Sequence, residues 1–333
     1  MREIVAAMRQ PQPMNRLLQG DVGSGKTIVA LLAALVALDN GLQAALMAPT
    51  GILAEQHART IGAWLAATPY GVRLLTAATP AAERRAIQAA LRGGEPLLVV
   101  GTHALVEDPV AFSRLGLVVV DEQHRFGVLQ RATLREKGLL PDVLVMTATP
   151  IPRTLALTIY GDLDVSVMRE LPPGRSPIVT RALPQSRRDE AYDLVRRELD
   201  AGRQAYLVYP LVEESSKIDV RAATAMADHL AAEVFPEYRL ALLHGRLKPE
   251  QKERVMRAFA SGDVQVLVST SVIEVGIDVP NATIMVIEHA ERFGLSQLHQ
   301  LRGRVGRGPG ASTCVLLYQE PAGEAGEARL RTL

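Results

Sequence analysis

Short, almost wholly apolar runs alternate with longer stretches of helical spacing along this chain, and the whole alternation occurs twice. The first set of runs covers residues 16–19, 44–48, 73–76, 97–101, 117–121 and 143–147, with helical patterns over 27–38, 53–65 and 81–91 between them. The second covers 179–183, 205–208, 239–243, 266–269, 283–287 and 314–317, with helical patterns over 187–201, 222–234, 250–260 and 297–303. Strands this apolar must be covered on both faces, and intervening helices make them parallel, so each set predicts a parallel sheet flanked by helices. Gly41 stands just past the first helical pattern, where a left-handed residue can close it. Between the two sets lies Leu171-Pro172-Pro173-Gly174-Arg175-Ser176-Pro177, which can continue neither a helix nor a central strand. The organisation that follows is an α/β domain over 1–171, a linker over 172–178, a second α/β domain over 179–320 and a weakly ordered tail over 321–333. A length of 333 residues suits two domains of about 150 residues each.

Composition narrows the function classes. Lys and Arg together number 37 against 36 Asp and Glu, so any contact with nucleic acid must come from local placement and not from a global basic field. Aromatic residues make up 4% of the chain, which disfavours base stacking as the main mode of binding and leaves backbone tracking. Cys314 is the single cysteine, so no disulfide can form within the chain, as suits a reducing compartment. The longest apolar run, over 28–38, is too short to span a bilayer and reads as a buried helix.

Two motifs in the first domain carry chemistry. Gly20-Asp21-Val22-Gly23-Ser24-Gly25-Lys26-Thr27 matches the phosphate-loop pattern G-x-x-x-x-G-K-[ST], after a predicted strand and before a predicted helix. Its glycines let backbone N–H groups close around phosphates, and the helix N-terminus favours an anion. Lys26 would reach the β- and γ-phosphates and Thr27 would ligate Mg²⁺. Asp121-Glu122-Gln123-His124 ends an apolar strand, at the edge of a parallel sheet where ligands bind. Asp121 would hold Mg²⁺ through water, and Glu122 would polarise the attacking water. Only the first domain has a phosphate loop.

With these two motifs the chain resembles the superfamily 2 helicases, built from two RecA-like P-loop NTPase domains with ATP in the cleft between them, and further segments match in order. Ala48-Pro49-Thr50 is similar to motif Ia, in which Thr50 would contact a DNA phosphate. Gly101-Thr102-His103 is similar to an element of the DNA track, although His103 reads equally well as a core histidine. Thr147-Ala148-Thr149 resembles motif III, so that Thr147 and Thr149 would couple the nucleotide state to domain closure through His124. Ser269-Thr270 and Glu274-Val275-Gly276-Ile277-Asp278 resemble motif V, with Thr270 on DNA and Gly276 and Asp278 facing nucleotide. Gln300-Leu301-Arg302-Gly303-Arg304-Val305-Gly306-Arg307 matches motif VI, Q-x-x-G-R-x-G-R. Charge develops on the γ-phosphate during phosphoryl transfer, and an arginine finger from a second domain stabilises it. Arg307 is the expected finger, with Arg304 beside it and Gln300 in the same motif.

Within the superfamily, Asp121-Glu122-Gln123-His124-Arg125-Phe126-Gly127 and Met146-Thr147-Ala148-Thr149-Pro150-Ile151-Pro152-Arg153-Thr154-Leu155 are similar to the RecG family and its relative Mfd, with Gln123 favouring RecG. The resemblance implies an ATP- and Mg²⁺-dependent DNA helicase that remodels stalled forks and Holliday junctions. It also implies duplex DNA and the single-stranded DNA-binding protein as partners, a monomer, no membrane, and a bacterial cytoplasm at the nucleoid. Two other readings stay open: an Mfd-like duplex translocase, and a DNA-binding motor fragment without helicase activity of its own. The chain departs from the family in having about fifteen residues before the motor, where the family has a wedge domain. The Q motif would lie upstream of Met1, the translocation hairpin after motif VI is cut short, and Gly51 replaces a frequent acidic residue. A partial chain or a truncated homologue is therefore expected.

Overall fold

A computed structural model describes residues 1–21, 23–102, 105, 110–121, 140–147, 163–168, 177–210, 217–270, 279–306, 308 and 310–320. The chain divides into two compact units, Met1–Pro172 and Pro173–Leu333. The first holds α1 (Arg2–Met8), β1 (Asn15–Gly20), α2 (Lys26–Asp39), β2 (Gln43–Met47), α3 (Gly51–Leu65), β3 (Val72–Leu75), α4 (Ala81–Gly93), β4 (Leu98–Gly101), β5 (Leu115–Asp121), β6 (Asp142–Thr147) and β7 (Asp164–Met168). Its seven strands lie in the order β3-β4-β2-β5-β6-β1-β7, every pairing parallel.

The apolar runs are strands because both of their faces are covered. Leu18, Leu46, Val100, Val119 and Met146 pack with α2 and α3, around Ala34, Leu38, Ala54 and Ile61. Leu17, Ala45, Val99, Val118 and Val145 point the other way and pack with Ile87 and Leu91 of α4. Helix α2 ends as expected at Gly41, whose φ is 70°; its N–H donates to Leu38 O and that of Leu42 to Ala37 O.

The second unit holds β8 (Ile178–Pro184), α5 (Arg188–Asp200), β9 (Gln204–Tyr209), α6 (Lys217–His229), β10 (Leu240–Leu243), α7 (Pro249–Ala260), β11 (Val266–Thr270), β12 (Ala282–Ile287), α8 (Leu295–Arg302) and β13 (Ser312–Tyr318). Its all-parallel sheet runs β10-β11-β9-β12-β13-β8. Leu207, Val268, Val286 and Val315 pack with Val195 and Leu199 of α5 on one face. On the other face Tyr206 meets Phe259 of α7, with ring centroids 4.9 Å apart. Matching β8–β13 to β1–β6 in chain order reproduces the sheet order of the first unit strand for strand, with β7 as the single addition.

Two elements go beyond the sequence expectation. Strand β7 runs along the outer side of β1, and α1 belongs to the first unit through the buried Ile4. Glu3 accepts from Ser166 Oγ and lies 3.6 Å from Arg16, so the segment before the first strand is part of the domain. Residues 172–176 of the expected linker and the tail over 321–333 lie outside the described residues.

Candidate nucleotide and nucleic-acid site

The phosphate loop leaves β1 at Gly20 and enters α2 at Lys26. Gly25 caps the helix at φ 89° and Gly23 has φ 79°, left-handed conformations that favour glycine. A Cβ on Gly20 would lie 2.6 Å from Ser24 Oγ and 3.0 Å from Met168 Cβ, so a larger residue there would have to displace the Ser24 side chain and press on the edge strand. Ser24 Oγ is buried without a hydrogen-bond partner, an orphaned group in a loop built to receive oxygens. Lys26 Nζ donates to Gly20 O at 2.8 Å and Asp21 O at 2.9 Å, which holds the ammonium over the loop. The first turn of α2 has no acidic residue to oppose the helix dipole, and Thr27 lies half-buried in that turn.

Register places the remaining groups on the same edge of the sheet. Gln19 is level with Thr147 of β6, and Met146 of β6 is level with Asp121 of β5. Asp121 therefore ends its strand two strands from the phosphate loop, about 10 Å along the edge. Thr147, between them, is buried. Beyond Asp121 come Thr50, which follows β2, and then Thr102, which follows β4. Thr50 is the N-cap of α3 and accepts from Leu53 N at 3.4 Å, while its hydroxyl proton is still available to an anion. The order along the edge is thus Thr102, Thr50, Asp121, Thr147, phosphate loop. The hydroxyl of Thr27 and the carboxylate of Asp121 are hard oxygen donors of the kind Mg²⁺ takes, so the residues present fit that ion.

In the second unit Thr270 ends β11, buried, with Oγ1 lacking a partner. Gln300 lies in α8, and Arg304 follows its end, with Arg304 N donating to Leu301 O at 2.9 Å. His103, Glu122, His124, Thr149, Gly276, Asp278 and Arg307 lie outside the described residues.

Sequence reasoning missed two arrangements. His57 of α3 meets Asp121, Nε2 to Oδ2 at 2.8 Å, with both side chains largely buried. A lone histidine two turns into a helix has no motif to mark it. In the second unit the Glu288 carboxylate, fully buried, accepts from Gln185 Nε2 at 2.9 Å, Arg188 at 3.1 Å and Tyr192 Oη at 2.9 Å. Burial, reinforced by Tyr209 and Glu288, raises the Tyr192 hydroxyl pKa well above that of a free tyrosine. These partners stand about a hundred positions apart in the chain and share no local signature.

Comparison with known proteins agrees with both units. The DEAD/DEAH box helicase model matches residues 2–158, and the helicase conserved C-terminal domain model matches residues 184–309. Two parallel sheets of one topology, with a phosphate loop on the first alone, are thus the paired motor domains of a superfamily 2 helicase. The sequence is 56% identical to the ATP-dependent DNA helicase RecG of Synechocystis sp. over 98% of this chain and 39% of that protein. It is 54% identical to the protein of the same name from Thermotoga maritima, over 99% of this chain and 42% of that one. A structure of RecG bound to a three-way DNA junction aligns at a TM-score of 0.87 and 49% identity, covering 99% of this chain and 43% of that chain. The chain belongs to the RecG family and spans about two fifths of the length of these relatives. Yeast Dbp5 bound to RNA, at 17% identity and a TM-score of 0.68, shares the fold alone.

Proposed function

We propose that this chain is the ATP-hydrolysing motor of a RecG-type DNA helicase, which remodels stalled forks and Holliday junctions by moving along duplex DNA. The observation that carries the reading is the order along one sheet edge, Thr102 and Thr50 at the DNA end, Asp121 in the middle, Gly20–Thr27 at the nucleotide end. Gly23, Ser24 and Gly25 would cradle the phosphates of ATP, Lys26 would bind the β- and γ-oxygens, and Thr27 and Asp121 would hold Mg²⁺. Mg²⁺ held there would supply charge stabilisation for the phosphoryl transfer. Glu122 orients the attacking water. Arg307, with Arg304 and Gln300 beside it, stabilises the charge that develops on the transferred group, and an arginine of this kind is worth about 10³–10⁵ in rate. His124, Thr147 and Thr149 relay the nucleotide state, and Gly276 and Asp278 face the nucleotide from the second unit. Thr50, Thr102, His103 and Thr270 hold DNA phosphates, contacts that position without reading sequence.

The RecG structure bound to a three-way DNA junction supports branched DNA as the substrate, and the same proposal takes forks, Holliday junctions and duplex DNA as substrates and a bacterial cytoplasm at the nucleoid as the setting. Among the described residues no helix is long and apolar enough to cross a membrane. The same family reading takes the motor as a monomer and includes the single-stranded DNA-binding protein among its partners. Steady-state ATP hydrolysis with Mg²⁺, with and without a synthetic fork, tests the proposal beside Lys26→Ala. Turnover that rises with the fork and falls roughly 10²–10³-fold in the variant is expected, the loss typical of one transition-state donor. Wild-type turnover in Lys26→Ala would remove the phosphate loop from the mechanism. Lysine-dependent turnover indifferent to DNA would leave an ATPase without the DNA track.

A further inference from the structure

We infer that His57 is a positioning residue for the metal-binding carboxylate, and this rests on the reading of Asp121 as the group that holds Mg²⁺. The two side chains come from different elements, α3 and β5, and meet at 2.8 Å with 12% and 13% of their surface exposed. A carboxylate can only accept a hydrogen bond, so the Nε2 of His57 carries the proton and donates it to Oδ2. This selects one tautomer of the imidazole. It also occupies one carboxylate oxygen and fixes the plane of the group, which leaves Oδ1 for the ion or its water.

The arrangement is the outer-shell geometry that metal sites use to orient a ligand, with the histidine behind the carboxylate. Helix α3 gives it a rigid base. Its N-terminus is capped by Thr50, and Leu53, Ala54 and Ile61 fasten it to the sheet, so His57 is presented from a packed element. Without His57, Asp121 would be free to turn at the end of its strand, and the ion would meet a mixture of carboxylate orientations.

The test is binding of Mn²⁺, followed by electron paramagnetic resonance, to the intact chain in the presence of a non-hydrolysable ATP analogue. His57→Ala, His57→Asn and His57→Gln are compared with wild type and Asp121→Asn. A glutamine amide can reach the place of the imidazole Nε2, whereas an asparagine amide falls short of it. His57→Ala and His57→Asn are expected to weaken Mn²⁺ about tenfold, the lower end of what loss of an outer-shell partner costs. His57→Gln should recover most of the affinity, and all three should bind the analogue in EDTA as wild type does. Wild-type Mn²⁺ affinity in His57→Asn, or equal affinity in the asparagine and glutamine variants, overturns the inference. The asparagine–glutamine pair decides the matter if the alanine variant does not fold. Wild-type Mn²⁺ affinity in Asp121→Asn would instead overturn the reading of Asp121 itself. Weakened binding there with no effect at His57 would overturn only the positioning role.

Discussion

The two units repeat one topology, and their functional edges can be compared position by position. Asp121 is level with Met146, and Met146 with Leu18, two residues before Gly20. In the second unit Glu288 stands one past Ile287, level with Leu317 and Leu183, two residues before Gln185. Glu288 is therefore the counterpart of Asp121, and Gln185 that of Gly20. In the first unit the loop at this point is glycine and backbone, with an orphaned Ser24 hydroxyl and a lysine held over it. In the second the loop is replaced by a short turn, Gln185–Arg187, and the side chains of Gln185 and Arg188 are spent on Glu288. On the proposed function, the edge that would receive phosphate in one copy is closed by an internal carboxylate in the other, and that difference predicts a single nucleotide site.

The two edges also share a feature. Thr102 follows Gly101, which is level with Met47, itself level with Val120, so Thr102 lies at the level of Asp121. Thr270 is level with Tyr209, one past Val208, and Val208 is level with Ile287, so Thr270 lies at the level of Glu288. The two threonines occupy the same strand and the same height in both copies. On the proposed function, each of these matched hydroxyls would hold a phosphate of the DNA backbone.

Removing Glu288 should have the largest effect on this picture. Glu288→Ala leaves three donors without their acceptor, and loss of one partner of a buried charge pair costs about 3–5 kcal/mol. Because Arg188 is partly exposed, the lower end, about 3 kcal/mol, is expected from denaturant unfolding of the second unit. Tyr192→Phe removes a single bond to the same carboxylate and should cost about 1–3 kcal/mol. A neutral Glu288→Ala would break the contrast between the two edges. Thr102→Val and Thr270→Val should have smaller and equal effects, each weakening duplex DNA by roughly fivefold, about 1 kcal/mol, with ATP affinity unchanged. Unequal losses in a DNA-binding titration would argue against the matched track.

Most of the fold was legible because central parallel strands are apolar on both faces, as in β2 and β12, where every residue is buried. Strand β7 escaped because it is an edge strand carrying Asp164 and Ser166, whose polar side chains serve Arg16 and leave no continuous apolar run. Helix α1 escaped because seven residues give too short a period to register. The phosphate-loop motif and Asp121 could be singled out because each is a short contiguous pattern, and the structure places both on one sheet edge. His57 and the Glu288 network were not, since their meaning arises only when distant strands and helices bring the partners to hydrogen-bonding distance.

On the proposed function the chain has one nucleotide site, with its phosphate loop in the first unit and the equivalent edge of the second occupied by Glu288 and its partners. Isothermal titration of the chain with a non-hydrolysable ATP analogue and Mg²⁺ measures this directly, alongside Lys26→Ala. One analogue per chain, lost in the lysine variant, is the predicted result. Two per chain, or one that survives Lys26→Ala, would contradict it.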